Sequence, residues 1–144
     1  MKKFILVAVL SLNVVVFAQK GPKIEFKDKD NTIDYGKVSK EDDNGLRTFV
    51  FTNTGDEPLI LREAKSTCGC TVPTFSKEPI APGKSGSIDV KYNMNPGPIR
   101  KTITVESNAV NVEDGRVAIK IKGEVVEKPI VNLLEKKSLS PMMQ

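Results

Sequence analysis

Past residue 20, apolar side chains recur at every second position, and that period confines the chain to strands. Phe49 and Phe51 share one side of Arg47–Asn53. Ile88, Val90 and Tyr92 alternate with Ser87, Asp89 and Lys91, and Val117, Ile119 and Ile121 alternate with Ala118, Lys120 and Lys122. Successive side chains of a strand point to opposite faces, so each run describes a ribbon with one buried face and one wet face. Shorter runs of the same rhythm occupy residues 23–27, 33–37, 59–65 and 99–106. Between the runs stand Asn53-Thr54-Gly55-Asp56, Ala81-Pro82-Gly83, Asn95-Pro96-Gly97-Pro98 and Asp114-Gly115. Glycine there supplies positive φ and proline fixes φ at about −65°, so each is a turn. No segment carries ten residues of amphipathic helix. The pattern predicts an all-β fold, an immunoglobulin-like antiparallel β-sandwich of about seven strands, with a small barrel as the alternative closure. Phe49, Phe51, Leu59, Ile88, Val90, Ile103, Val105, Ile119 and Ile121 are its expected inter-sheet core.

The first eighteen residues have a different character. Met1-Lys2-Lys3 is positively charged, and an apolar run from Phe4 to Phe17 is broken only by Ser11 and Asn13. Val16-Phe17-Ala18 suits cleavage between Ala18 and Gln19. This is the pattern of a secretory signal peptide over residues 1–18, too short for the ~20 apolar residues of a bilayer span. The expectation is an exported protein, periplasmic or secreted to the cell surface, with no stable membrane span once the signal is removed. Gly21-Pro22 and the mixed charges of residues 27–31 read as a loose lead into the first strands. The immunoglobulin-like domain is expected over residues 23–126, followed by a polar tail, residues 127–144, with Pro129 and Pro141. That composition predicts partial disorder, although Ile130–Leu134 has the character to dock on a sheet edge.

Composition narrows the chemistry. The chain has no His, so a Ser-His-Asp triad, a Cys-His pair and a His-ligated zinc or haem site are excluded. Two Cys alone cannot close a four-Cys zinc site. The net charge is +4, and falls to +2 without Lys2 and Lys3. The remaining charges are interleaved, as in Lys27-Asp28-Lys29-Asp30, where phosphate binding wants a patch or stripe, so no nucleic-acid partner is expected. Glu41-Asp42-Asp43 reads as a solvated turn rather than a Ca²⁺ loop. No cofactor is expected.

The one chemical signature is Cys68-Gly69-Cys70, immediately followed by Thr71. Two residues apart on a straight strand, Cα atoms lie ~6.6–7.2 Å apart, at or beyond the upper limit for a disulfide. Gly69 and Thr71 are therefore expected to shape a turn that brings the sulfurs together. Four readings stand. The pair is a local disulfide adding little stability, because its loop is minimal. It is a labile bridge that exchanges with other thiols, with Arg62, Lys65 and Lys77 near in sequence to lower a thiolate pKa. It is a Cu(I) site in which Cys68 and Cys70 are joined by Met94 or a carboxylate. Or it is two small apolar side chains packed in a turn.

Phe49-Val50-Phe51-Thr52-Asn53-Thr54-Gly55, then Cys68-Gly69-Cys70-Thr71, then Pro82-Gly83-Lys84-Ser85-Gly86, in that order, resembles a bacterial exported family called domain of unknown function 1573. More distantly it is similar to the major-sperm-protein-like immunoglobulin modules. The likeness covers roughly residues 25–126. It implies the sandwich fold and an exported compartment, and no catalytic residue. Asn53 and Gly55 fit a turn needing a side-chain hydrogen bond and positive φ, and Pro82-Gly83 a type II turn. The function expected is a non-catalytic module that binds another envelope or extracellular protein. Thiol–disulfide or copper(I) handling through Cys68-Gly69-Cys70 is the alternative, and thiol redox is the sole enzymatic option it leaves.

Overall fold

A computed structural model of the protein describes residues 19–128; the leader, and the tail beyond Lys128 with its Ile130–Leu134 segment, lie outside the described residues. Among the described residues there are eight strands: β1 (Ile24–Phe26), β2 (Thr32–Val38), β3 (Leu46–Asn53), β4 (Leu61–Ser66), β5 (Thr71–Phe75), β6 (Ser85–Tyr92), β7 (Gly97–Ser107) and β8 (Arg116–Val125). They form two four-stranded sheets, in the orders β1-β3-β6-β5 and β2-β8-β7-β4. Seven match the alternating runs. The eighth, β5, escaped because Thr71-Val72-Pro73-Thr74-Phe75 is short, contains proline and has no apolar alternation beyond Phe75. It is an edge strand, where a missing N–H costs no ladder bond.

The first sheet is antiparallel throughout. The second is mixed, because β2 runs parallel to β8, with Thr32 beside Lys120 and Val38 beside Val125. This corrects the expectation of a wholly antiparallel sandwich: a period of two fixes which face a side chain takes, not the direction of its neighbour.

The core lies between the sheets as the alternation requires. All nine expected core residues are buried, each with 1% or less of its surface exposed. Leu61, Ile99, Tyr35, Met94 and Val125 join them. Phe26 meets Phe49 edge-on at 6.3 Å between ring centres and Phe51 at 5.7 Å, arrangements that aromatic quadrupoles favour.

Among the described residues, four buried side chains are polar, Ser39, Asn53, Thr71 and Ser107, and Asn53 is the most enclosed of them. Asn53, at the end of β3, is fully enclosed and fully bonded. Its Oδ1 accepts from the backbone N–H of Lys23 (3.2 Å) and Gly55 (3.0 Å), and its Nδ2 donates to the carbonyls of Glu57 (2.7 Å) and Ile80 (2.9 Å). A buried amide is tolerable only when satisfied in this way. Asn53 thus pins the chain entry, the β3–β4 turn and the segment before β6 at one point. Gly55 serves the same junction for an unexpected reason. Its φ is not in the left-handed region; instead, a Cβ there would lie 2.1 Å from the carbonyl oxygen of Gly21. Close backbone approach, not positive φ, demands this glycine.

That junction also corrects the reading of a loose N-terminal lead. Gly21 and Pro22 are buried, and Gly21 N–H donates to Asp56 Oδ1 at 2.6 Å. Asn111 holds Ile24 through a reciprocal pair, accepting from its N–H (3.0 Å) and donating to its carbonyl (2.9 Å). At the Ala81–Lys84 turn, Gly83 adopts φ +77° as expected.

Candidate functional site

The cysteines sit where the chain changes sheets. β4 ends at Ser66 on the edge of one sheet, and β5 begins at Thr71 on the edge of the other. Thr67–Cys70 make the crossing, with Gly69 and Cys70 in a turn. The turn shortens the Cys68–Cys70 Cα separation to 5.4 Å, well under the extended-strand distance, and the two sulfurs are joined in a disulfide. Both cysteines are half-buried and Gly69 is exposed. Cys70 is anchored: it packs against the core, its carbonyl accepts from Asn93 N–H at 3.0 Å, and Thr71 beside it is buried. Cys68 is held more loosely, its N–H 3.5 Å from Ser66 Oγ.

Gly69 does not play its expected part. Its φ lies outside the left-handed region, and a Cβ built on it would meet nothing within 4 Å. Neither backbone strain nor internal packing requires a glycine there; its effect is to leave the outer face of the disulfide turn uncovered. The cations near in sequence are engaged or exposed. Lys65 pairs with Glu63 at 2.8 Å, and that carboxylate raises the ammonium pKa. Arg62 and Lys77 are exposed. Met94 points into the core against Gly45, away from the role of a sulfur ligand at the turn. Among the described residues, no three His, Cys, Asp or Glu side chains gather as metal ligands.

Beside the turn, none of the described residues covers the outer face of the β1-β3-β6-β5 sheet. Register places Leu46, Lys91 and Val72 in one row across β3, β6 and β5. Leu46 is 42% exposed and Val72 56%, on either side of the Lys91 chain. Val50 adds a further exposed apolar side chain to β3. The β5 edge is poorly suited to adding a strand, since Pro73 removes one of its outward donors.

The acidic run forms structure. Asp42 accepts from Ser39 Oγ at 2.8 Å and from Lys128 Nζ at 2.6 Å, and these bonds lower its pKa. Asp43 takes both guanidinium nitrogens of Arg47, at 3.0 and 2.6 Å, and Arg47 holds its carboxyl below the usual range. The same guanidinium stacks 4.0 Å from the ring centre of Tyr35. Tyr35 donates its hydroxyl to the Gly45 carbonyl at 2.8 Å, and burial pushes its pKa up to about 12, against the opposing charge of Arg47. Nothing in the alternation pattern signals this cluster, because Tyr35 and Arg47 come from different sheets.

Two facing four-stranded sheets around an aliphatic and aromatic core, with a sheet-crossing turn as the one chemically distinctive element, define an immunoglobulin-like β-sandwich module. Within that class, residues 24–125 match the family model described as protein of unknown function (DUF1573), and the chain belongs to that family. No curated protein matches it in sequence. Among solved structures, it is similar to a protein of unknown function from Porphyromonas gingivalis W83, with TM-score 0.61 and 17% identity, over 76% of this chain and 50% of that one. The chain thus spans half the length of that relative. It is also similar to the ASH/PapD-like domain 7 of human CEP192 (TM-score 0.56, 11% identity, 83% of this chain, 99% of that domain). A third likeness is to the YadV chaperone (TM-score 0.54, 14% identity, 73% and 53%). At these identities the likeness is one of fold.

Proposed function

We propose that the chain is an exported, non-catalytic immunoglobulin-like module that binds another protein of the cell envelope. The observation that carries this reading is the exposed row Leu46–Lys91–Val72 beside the disulfide turn. Exposed apolar side chains flanking a charge, on a rigid sheet next to an open turn, suit a small protein interface. The fold shared with the YadV chaperone supports a binding role, and the apolar leader supports export. Among the described residues, no helix is long and apolar enough to cross a membrane.

A second reading is favoured by the half-exposed disulfide and the open flank of Gly69. In it, a thiolate of a dithiol partner attacks one sulfur, forming a mixed disulfide while the other sulfur leaves as thiolate and takes a proton. The partner's second thiol then displaces the first cysteine; the pair gains two electrons and two protons, and the partner becomes a disulfide.

Cross-linking in envelope preparations separates the readings. Capture of a specific protein by the unaltered chain, lost in Leu46→Lys/Val72→Lys but kept in Cys68→Ser/Cys70→Ser, is the expected result. Loss in the cysteine variant alone favours exchange, and retention in both variants overturns the interface. Intact mass of the purified protein tests export: a chain beginning at Gln19 is expected.

A further inference from the structure

The fold gathers four cations from three separate stretches of the sequence. β7 and β8 pair so that Arg100 lies opposite Lys122 and Thr102 opposite Lys120. On the other side of β8, β2 sets Asp34 beside Lys122 and Thr32 beside Lys120. With Lys29, these residues line an open groove of about 730 Å³ on this sheet, while Lys101, opposite the core residue Ile121, starts from the other face. The positive charges, Lys29, Arg100, Lys120 and Lys122, outnumber the groove's carboxylates, Asp30 and Asp34, four to two. Lys122–Asp34, at 3.6 Å, is the one ion pair these cations make among the described residues.

Like charges directly opposite each other on neighbouring strands destabilise a sheet. Arg100 and Lys122 stand in that relation, with Lys120 two positions along. The spacing is regular: ~4.8 Å between strands and ~6.7 Å between alternate residues of one strand. Lysine ammonium groups act as point charges on phosphate, while planar carboxylates are better met by the arginine fork. Three of the four cations are lysines, and Thr32 and Thr102 stand among them. Among the described residues, no aromatic side chain lines the groove, so they supply no stacking platform of the kind single-stranded nucleic-acid sites use.

We infer that this groove binds a phosphate-bearing, non-nucleic polyanion, a chain whose phosphates repeat at about 5–7 Å, the strand and residue spacing of the sheet. The single charges scattered along the sequence hid it; the β2–β8–β7 register makes it.

The test is a titration of the purified protein with inorganic polyphosphate at low salt, followed by calorimetry and by amide NMR. Saturable binding is expected, with shifts concentrated at Thr102, Lys120 and Lys122. Arg100→Gln/Lys120→Gln should weaken it about tenfold and flatten its salt dependence, as loss of two phosphate contacts requires. Lys40→Gln/Lys77→Gln, two exposed cations elsewhere, should leave it unchanged. Absent or non-saturable binding, equal loss in the control variant, or shifts outside the groove overturn the proposal. So does tighter binding of a charge-matched single-stranded oligonucleotide or of anionic phospholipid vesicles. The NMR map on the unaltered protein decides the matter even if the groove variant does not fold.

Discussion

Replacing Asn53 with alanine removes all four side-chain bonds at the buried junction of chain entry, β3–β4 turn and pre-β6 segment. The Lys23 and Gly55 N–H groups lose an acceptor, and the Glu57 and Ile80 carbonyls lose a donor. Each buried group left unpaired costs about 1–3 kcal/mol. Ile80 O keeps a second partner in Leu59 N–H, and the turn at Glu57 is exposed, so two of the four groups bear most of the penalty. The expected loss is about 3–5 kcal/mol, or a melting point lowered by at least ~12 °C for a domain of this size. Urea and thermal denaturation followed by circular dichroism measure it. Asn53→Asp sharpens the experiment. Its carboxylate keeps an acceptor but turns a second oxygen toward the Glu57 and Ile80 carbonyls, which disfavours the charged form and raises the aspartate pKa on folding. Stability of that variant is therefore present at low pH and lost as pH rises through the folded-state pKa. A loss below about 1 kcal/mol in the alanine variant, or an aspartate variant indifferent to pH, would refute the assignment of Asn53 as the junction's pin.

Other outcomes follow from single contacts. Phe51→Ala, in the centre of the core, should cost about 3–5 kcal/mol in the same assay. Gly55→Ala should destabilise strongly, because its Cβ collides with the Gly21 carbonyl, whereas Gly69→Ala should melt within a degree or two of the parent; equal effects would contradict the geometry. Tyr35 should stay protonated past the usual tyrosine range, with half-ionisation at about pH 12, read by ultraviolet difference absorption. Because that pKa is raised on folding, the stability it contributes is complete below about pH 10 and is lost as pH climbs through 12. Tyr35→Phe should remove that alkaline component.

The layering was legible because burial on one face leaves a period of two in the sequence, and Phe49, Phe51, Ile88, Val90, Ile119 and Ile121 obey it. What escaped depends on relations between distant segments. Pro73 disguised β5, and only the pairing with β6 reveals it as an edge. Nothing local distinguishes a parallel β2 from an antiparallel one. Gly21-Pro22 looks like linker until Asp56 and Val110, far along the chain, close over it. At the disulfide turn the sequence identified the residues, while the role of Gly69 was misjudged, since space around a position is invisible in one dimension. The cationic groove escaped for the same reason as the Tyr35–Arg47–Asp43 cluster: its members are assembled by register.

The side-by-side pairing of β2 with β8 has a consequence in time. A nascent chain can zip β7 to β8 as a hairpin, but Thr32–Val38 gains its neighbour only when the final strand has emerged, and Ile24 waits for Asn111, 87 positions downstream. Closing such long loops is entropically slow. β1 can dock early on β3, but β2 is the strand whose place in the sheet depends on the completed domain.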